Sequence, residues 1–207
     1  MGTIRINAFE NHPPMVLSST TSELPDHARF NVLAGKYNAF AAVLEGAADS
    51  VGSEQKFLLK LAETRESILK LEHEYEYYVG GLSHLQGVAV PRCFGIFTGS
   101  VGDNAVACLV LEYLETIPEE YNKRIQRKEK RERLISHINK IHDAGVVINH
   151  PEGCLRYVGP WDDPRIIDFS ASYPHVCAFD PEINAEEGCH EIMTLSLNYQ
   201  AISNGQF

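Results

Sequence analysis

Apolar positions along the chain fall into short blocks separated by polar punctuation, and the spacing inside each block predicts its element. Residues 1–26 are rich in Pro, Ser, Thr and Asn and show no period, so they read as a loosely ordered lead-in. Phe30–Leu33 and Phe40–Leu44 are apolar runs on either side of Ala34-Gly35-Lys36-Tyr37-Asn38, a strand, tight loop and strand. Lys56–Leu61 supports two readings. Leu58, Leu61, Ile68, Leu71, Tyr75 and Tyr78 fit one helical face, giving a single helix from Ser53 to Val79. Alternatively, a strand over Lys56–Leu61 breaks before a helix from about Glu63. Gly80-Gly81 ends the helix in either case. Pro91–Thr98 and Val106–Tyr113 are β-rich runs joined by a turn at Gly99–Asn104. Leu134, Ile138 and Ile141 repeat at i, i+4 and i+7, which predicts a helix over Glu119–Asp143 ended by Gly145. Short apolar runs follow at Val146–Ile148, Leu155–Val158 and Arg165–Asp168, and Pro181–Tyr199 has a weak helical pattern. About five strands around one helix, then a helix with short strands, is an α+β chain in two lobes.

Composition narrows the possible roles. The 207 residues carry 18 Lys and Arg against 28 Asp and Glu, a net charge of −10, with 44% hydrophobic and 22% charged residues. Such a chain folds around a core, and its acidity argues against coating nucleic acid or an anionic membrane. The charge is uneven. Residues 123–133 hold seven Lys and Arg with only Glu129 and Glu132, a local +5. These residues read as a solvated helix face, or as a docking surface for an acidic protein partner through the Lys123–Arg133 helix. Without interleaved aromatics, nucleic acid is the weaker reading. The longest early apolar run is Met15-Val16-Leu17, so no signal peptide or transmembrane segment is expected, and a cytoplasmic or nuclear location is the expectation. The five cysteines are odd in number and form no CxxC pair, which favours reduced, packed thiols. His175, Cys177, Cys189 and His190 are ligand types for zinc, but at no common spacing.

The chemistry-bearing stretch is Ile141-His142-Asp143-Ala144-Gly145-Val146-Val147-Ile148-Asn149-His150, followed by Arg165-Ile166-Ile167-Asp168-Phe169-Ser170. Here the chain resembles the protein-kinase-like superfamily, and within it the small kinase-like or aminoglycoside-phosphotransferase-like proteins abundant in fungi. Phe57-Leu58-Leu59-Lys60 looks like the third strand with its phosphate-pairing lysine. Glu72-His73-Glu74-Tyr75 looks like the helix whose glutamate, here Glu74 or Glu72, orients that lysine. Leu85-Gln86-Gly87 through Val90–Gly95 resembles the following strand, and Cys108–Tyr113 looks like the strand leading into an adenine-facing hinge. The resemblance covers roughly residues 27–180 and lies in the order of its motifs.

The resemblance implies a two-lobed fold. It has a loosely ordered lead-in over 1–26, a five-stranded antiparallel N-lobe sheet over 27–115, and a reduced C-lobe over 116–207. Only 39 residues follow Asp168, without an Ala-Pro-Glu-like segment, so a truncated, mostly helical C-lobe that docks no peptide substrate is expected. Lys60, Glu74, Glu112, Tyr113 and Leu114 would bind ATP, and Asp168 would hold Mg²⁺. An Asp after two isoleucines is costly to bury alone, which points the same way. The catalytic loop departs from the family. His150 and Leu155 occupy the positions of the catalytic Asp and the metal-binding Asn, and Gly35-Lys36-Tyr37-Asn38 supplies one glycine for a phosphate loop. The expectation is a non-catalytic, pseudokinase-type binding or regulatory protein with at most weak Mg²⁺–ATP binding. One alternative is an ATP-dependent phosphotransferase on a small hydroxyl or amine acceptor, with His150 or Glu152 as base. Another is an α+β interaction domain in which Lys60 and Asp168 make only structural contacts.

Overall fold

Among the described residues, seven strands and one helix make up the first of two units into which the chain divides, Met1–Val79 with Pro91–Leu114. The second unit is Gly80–Val90 with Glu115–Phe207. The structure, a computed structural model, describes residues 2–7, 14–36, 39–45, 55–114, 128–148, 155–158 and 163–176. The fold class is α+β, as the order of apolar blocks predicts.

In the first unit the strands are β1 (Gly2–Asn7), β2 (Met15–Ser19), β3 (Ala28–Lys36), β4 (Ala39–Glu45), β5 (Lys56–Ala62), β6 (Cys93–Val101) and β7 (Asn104–Glu112), with α1 (Arg65–Val79) between β5 and β6. They lie side by side as β1-β2-β6-β7-β5-β4-β3, and the sheet closes on itself. Five of them, β3-β4-β5-β7-β6, are antiparallel throughout. The complete sheet is larger and mixed, which corrects the expected five-stranded antiparallel sheet. β1 runs parallel to β3 and antiparallel to β2, while β2 meets β6 at Ser18 and Thr98.

Where a loose lead-in was expected over residues 1–26, Gly2–Asn7 and Met15–Ser19 are strands that complete the ring. Ile4, Ile6 and Leu17 are fully buried and share one core with Phe30, Phe57, Leu59, Phe97, Cys108 and Val110. Phe57 meets Phe30 and Phe94 edge to face, with ring centroids 5.4 and 5.1 Å apart. Gly99 lets β2 approach β6 closely, since a Cβ there would lie 2.8 Å from Leu17 Cδ2 and 2.9 Å from the Val16 carbonyl.

β7 is buried on both faces, which explains its unbroken apolar run. Val106, Cys108 and Val110 face the closed interior, and Ala107, Leu109 and Leu111 lie on the side that α1 covers. The β6–β7 hairpin turns at Gly102-Asp103, so the strands continue through most of the expected Gly99–Asn104 turn.

In the second unit a short 3₁₀ turn (Ser83–Leu85) precedes α2 (Lys128–Asp143), β8 (Val146–Val147), β9 (Leu155–Val158), β10 (Asp163–Ile166) and β11 (Tyr173–Pro174). The predicted stripe Leu134, Ile138 and Ile141 is buried, and α2 packs on β8 and β10. Gly145 ends α2 with φ +78°, its N–H donating to the His142 carbonyl at 2.8 Å. β9 pairs with β10 and β8 with β11. Among the described residues this unit has one α-helix and four short strands. The helical readings for Glu119–Arg127 and Pro181–Tyr199 lie outside the described residues. No helix among the described residues is long and apolar enough to cross a membrane.

Candidate functional site

β5 decides where Lys60 points. Phe57, Leu59 and Leu61 enter the closed core, so the intervening Leu58 and Lys60 stand on the opposite face, beneath α1. The strand-then-helix reading of this region is the observed one. Thr64 caps α1: its hydroxyl accepts the Ser67 N–H at 3.2 Å, and Ser67 Oγ accepts the Thr64 N–H at 3.1 Å. The helix then buries Leu71, Glu74 and Tyr78 along one stripe.

A glutamate in the centre of that stripe needs a partner. Lys60 Nζ meets Glu74 Oε2 at 2.5 Å, with the Glu74 side chain fully buried and that of Lys60 20% exposed. Of the two glutamates the sequence left open, Glu74 is the partner, while Glu72 is half-buried two residues earlier on the helix. The buried carboxylate fixes a lysine whose side chain keeps 20% of its surface exposed, which is an arrangement suited to meeting an anion. The Cys93 thiol, on β6, is pushed up to about 12, first by burial and then by the negative charges of Glu74 and Glu23, against a lowering hydrogen bond from Gly95. Beside this pair it is a packed thiol rather than a nucleophile.

The expected hinge is also ordered at its start. The Arg92 N–H donates to Glu112 Oε2 at 3.1 Å, and the Glu112 N–H donates to the Arg92 carbonyl at 2.8 Å. Lys56 Nζ stands 5.5 Å from the centre of the Tyr113 ring, and Leu114 is buried.

In the second unit, Asp168 lies two residues beyond β10. Its φ is +71°, and Ser170 Oγ donates to its Oδ1 at 2.7 Å. Asp168 is exposed, which corrects the expectation of a costly buried carboxylate: Ile166, Ile167 and Phe169 are buried while the left-handed turn carries Asp168 outward. Arg165 is a residue that sequence reasoning did not single out. It is buried, donating through Nη2 to the Gly87 carbonyl at 2.6 Å and through Nη1 to the Pro164 carbonyl at 3.1 Å. The Ile166 N–H also donates to the Ala89 carbonyl at 2.9 Å, so the strand leading to Asp168 is pinned to the Gly80–Val90 segment. An arginine directly before an apolar pair was the available signal.

Leu155 begins β9 opposite Ile166. His150 and Glu152 lie outside the described residues, as do Cys177, Cys189, His190 and the basic positions Lys123, Arg124 and Arg127. His175 is described, and its ring packs 4.5 Å from that of His142. On α2, Glu132 and Arg133 are exposed.

The chain thus brings Lys60 and Glu74 together in one unit, and sets Asp168 on a hydrogen-bonded turn in the other. Compared with known sequences, it matches no protein-family model and no curated protein.

Proposed function

We propose that the protein is a kinase-like, non-catalytic binding protein that takes Mg²⁺–ATP weakly. The observation that carries this reading is the 2.5 Å pair between Lys60 and the fully buried Glu74. A buried ion pair is a poor device for stability, because apolar residues of the same volume do as well or better. Holding one lysine still at a partly open position has a use when an anion such as a phosphate must be met.

Three further features agree with the reading. Lys60 lies on the third of five consecutive antiparallel strands, and Glu74 lies on the helix that follows. Glu112 ends the strand beside β5, so the backbone of Tyr113 and Leu114 would offer the hydrogen-bonding edge for adenine. Asp168 holds a positive φ in a hydrogen-bonded turn, a conformation found where a side chain must be aimed. In this reading Lys60 faces phosphate and Asp168 holds the metal. With His150 and Leu155 in place of the carboxylate and amide that phosphoryl transfer needs, binding is not followed by chemistry.

Thermal unfolding with and without Mg²⁺–ATP tests this. Saturating Mg²⁺–ATP is expected to raise Tm by a few degrees. Lys60→Met and Asp168→Asn, each compared with its own ligand-free Tm, should lose that rise, and no γ-phosphate should be transferred. No stabilisation at millimolar Mg²⁺–ATP, or a rise that both variants retain, would overturn the proposal. Turnover lost in Asp168→Asn would replace it with an active phosphotransferase.

A further inference from the structure

The helix that carries Glu74 is tethered on both flanks, and only one tether is the ion pair. α1 lies over β5, β6 and β7, which stand in the order β6-β7-β5, with β2 beyond β6. On the β5 side Glu74 binds Lys60. On the β2 side the next residue of the helix, Tyr75, shares a 2.7 Å hydrogen bond between its hydroxyl and Thr21 Oγ1.

Thr21 sits on a segment that is itself fixed. Its N–H donates to Ser19 Oγ at 3.1 Å, the Leu24 N–H donates to Ser22 Oγ at 2.9 Å, and the Glu23 N–H donates to the Phe94 carbonyl at 3.0 Å. Leu24 also packs against the closed core. The segment after β2 is therefore a short strap held to β2 and β6 and touching α1 at one hydroxyl.

We infer that Thr21 and Tyr75 are positioning residues, which stop α1 from rolling about its axis and so keep the Glu74 carboxylate on Lys60. Consecutive residues on a helix point about 100° apart, so a roll that lifts Glu74 from β5 must also move Tyr75 across the strap. The two tethers resist the same motion from opposite sides of the β6–β7 pair. The functional weight of this positioning rests on the nucleotide reading, but the positioning itself is measurable without nucleotide.

The measurement is the acylation rate of individual lysines by an amine-reactive ester, mapped by peptide mass spectrometry on the full chain. Lys70 serves as the internal reference. It lies on the same helix and makes an exposed i,i+4 pair with Glu66 at 2.7 Å. Thr21→Val and Tyr75→Phe are each expected to speed Lys60 labelling about threefold to tenfold, the range one net hydrogen bond supplies. The double variant should be no faster than either single variant, because both remove the same bond. Thr21→Ser keeps the hydroxyl and should label at the wild-type rate. Lys70 should not change in any variant.

Unchanged Lys60 labelling in both single variants overturns the inference. So does a rise that Lys70 shares, or one that doubles up in the double variant. The two proposals fail separately. The expected labelling pattern in a protein that ignores Mg²⁺–ATP defeats the nucleotide reading alone, and unchanged labelling in a protein that binds Mg²⁺–ATP defeats the strap alone.

Discussion

Replacing Lys60 by Met takes the ion-pair partner from a carboxylate at the centre of the packed stripe of α1. Glu74 is fully buried and its Oε2 lies 2.5 Å from the lysine, so the variant removes the counter-charge while leaving the charge. Breaking a buried pair from one side costs about 3–5 kcal/mol, and the 20% exposure of Lys60 places this site near the lower figure, about 3 kcal/mol. For a chain of this length each kcal/mol moves Tm by about 2–4 °C, so Lys60→Met should melt about 6–12 °C below the wild type. Replacing both partners, as Lys60→Met with Glu74→Leu, removes the charge together with its need. That protein should recover to within about 1 kcal/mol of the wild type, or exceed it. Urea unfolding of the four proteins closes the cycle, with the slope of ΔG against urea checked for constancy. A double variant as unstable as Lys60→Met would refute the reasoning, since the pair would then be a stabilising element in its own right. A loss below about 1 kcal/mol in Lys60→Met would refute it from the other side, as expected only of a solvated surface pair.

Other outcomes follow from the same geometry. Gly145→Ala should lower stability by about 1–2 kcal/mol in thermal melts, because the position needs φ +78° and the added Cβ would stand 3.1 Å from the His175 carbonyl. Gly99→Val should separate β2 from β6, read as faster amide exchange over residues 15–19, since even a Cβ there meets Leu17 and the Val16 carbonyl below 3.0 Å. Cys93 and Cys108 should resist iodoacetamide at pH 8 in the folded protein and react once it is unfolded in urea. Burial pushes Cys93 up to about 12 and Cys108 higher still, leaving little thiolate. These raised values also set a sign. Between pH 9 and about 12 the unfolded thiol has lost a proton that the folded Cys93 keeps, so stability should fall as pH rises through that window.

How far the sequence foretold this molecule depended on where each strand finds its partner. β3, β4, β6 and β7 were legible because each pairs with a near neighbour in the chain and carries its own apolar run. β5 was ambiguous for a physical reason. Phe57, Leu59 and Leu61 face the closed core while Leu58 faces the helix side, so the strand is apolar on both faces and its alternation is hidden. β1 and β2 pair with each other, but their apolar positions, Ile4, Ile6 and Met15–Leu17, are few among polar residues, and the core that buries them comes from strands further along the chain. Within the candidate site, the residue order was enough to pair a lysine with a glutamate of the next helix, and the buried stripe through Leu71 and Tyr78 selects Glu74. The exposure of Asp168 was not legible, because a single left-handed residue reverses the outlook that two preceding isoleucines suggest. Thr21 and Tyr75 are 54 positions apart, and neither residue type announces the bond between them.

Closure of the sheet also constrains the order in which a nascent chain can fold. Ile4, Ile6 and Leu17 belong to a core that includes Phe97, and β2 finds its second neighbour only at Thr98. Ribosomes add about 5–20 residues per second, so the stretch from Ser18 to Thr98 takes about 4–16 s to appear. Throughout that interval the first hairpin has its apolar face made but nothing complete to bury it against. Long-range pairing of this kind also raises contact order and slows the final closure. Aggregation during synthesis should therefore respond most to changes on β1 and β2, and a chaperone that shields short apolar strands would act on this protein before β6 has been translated.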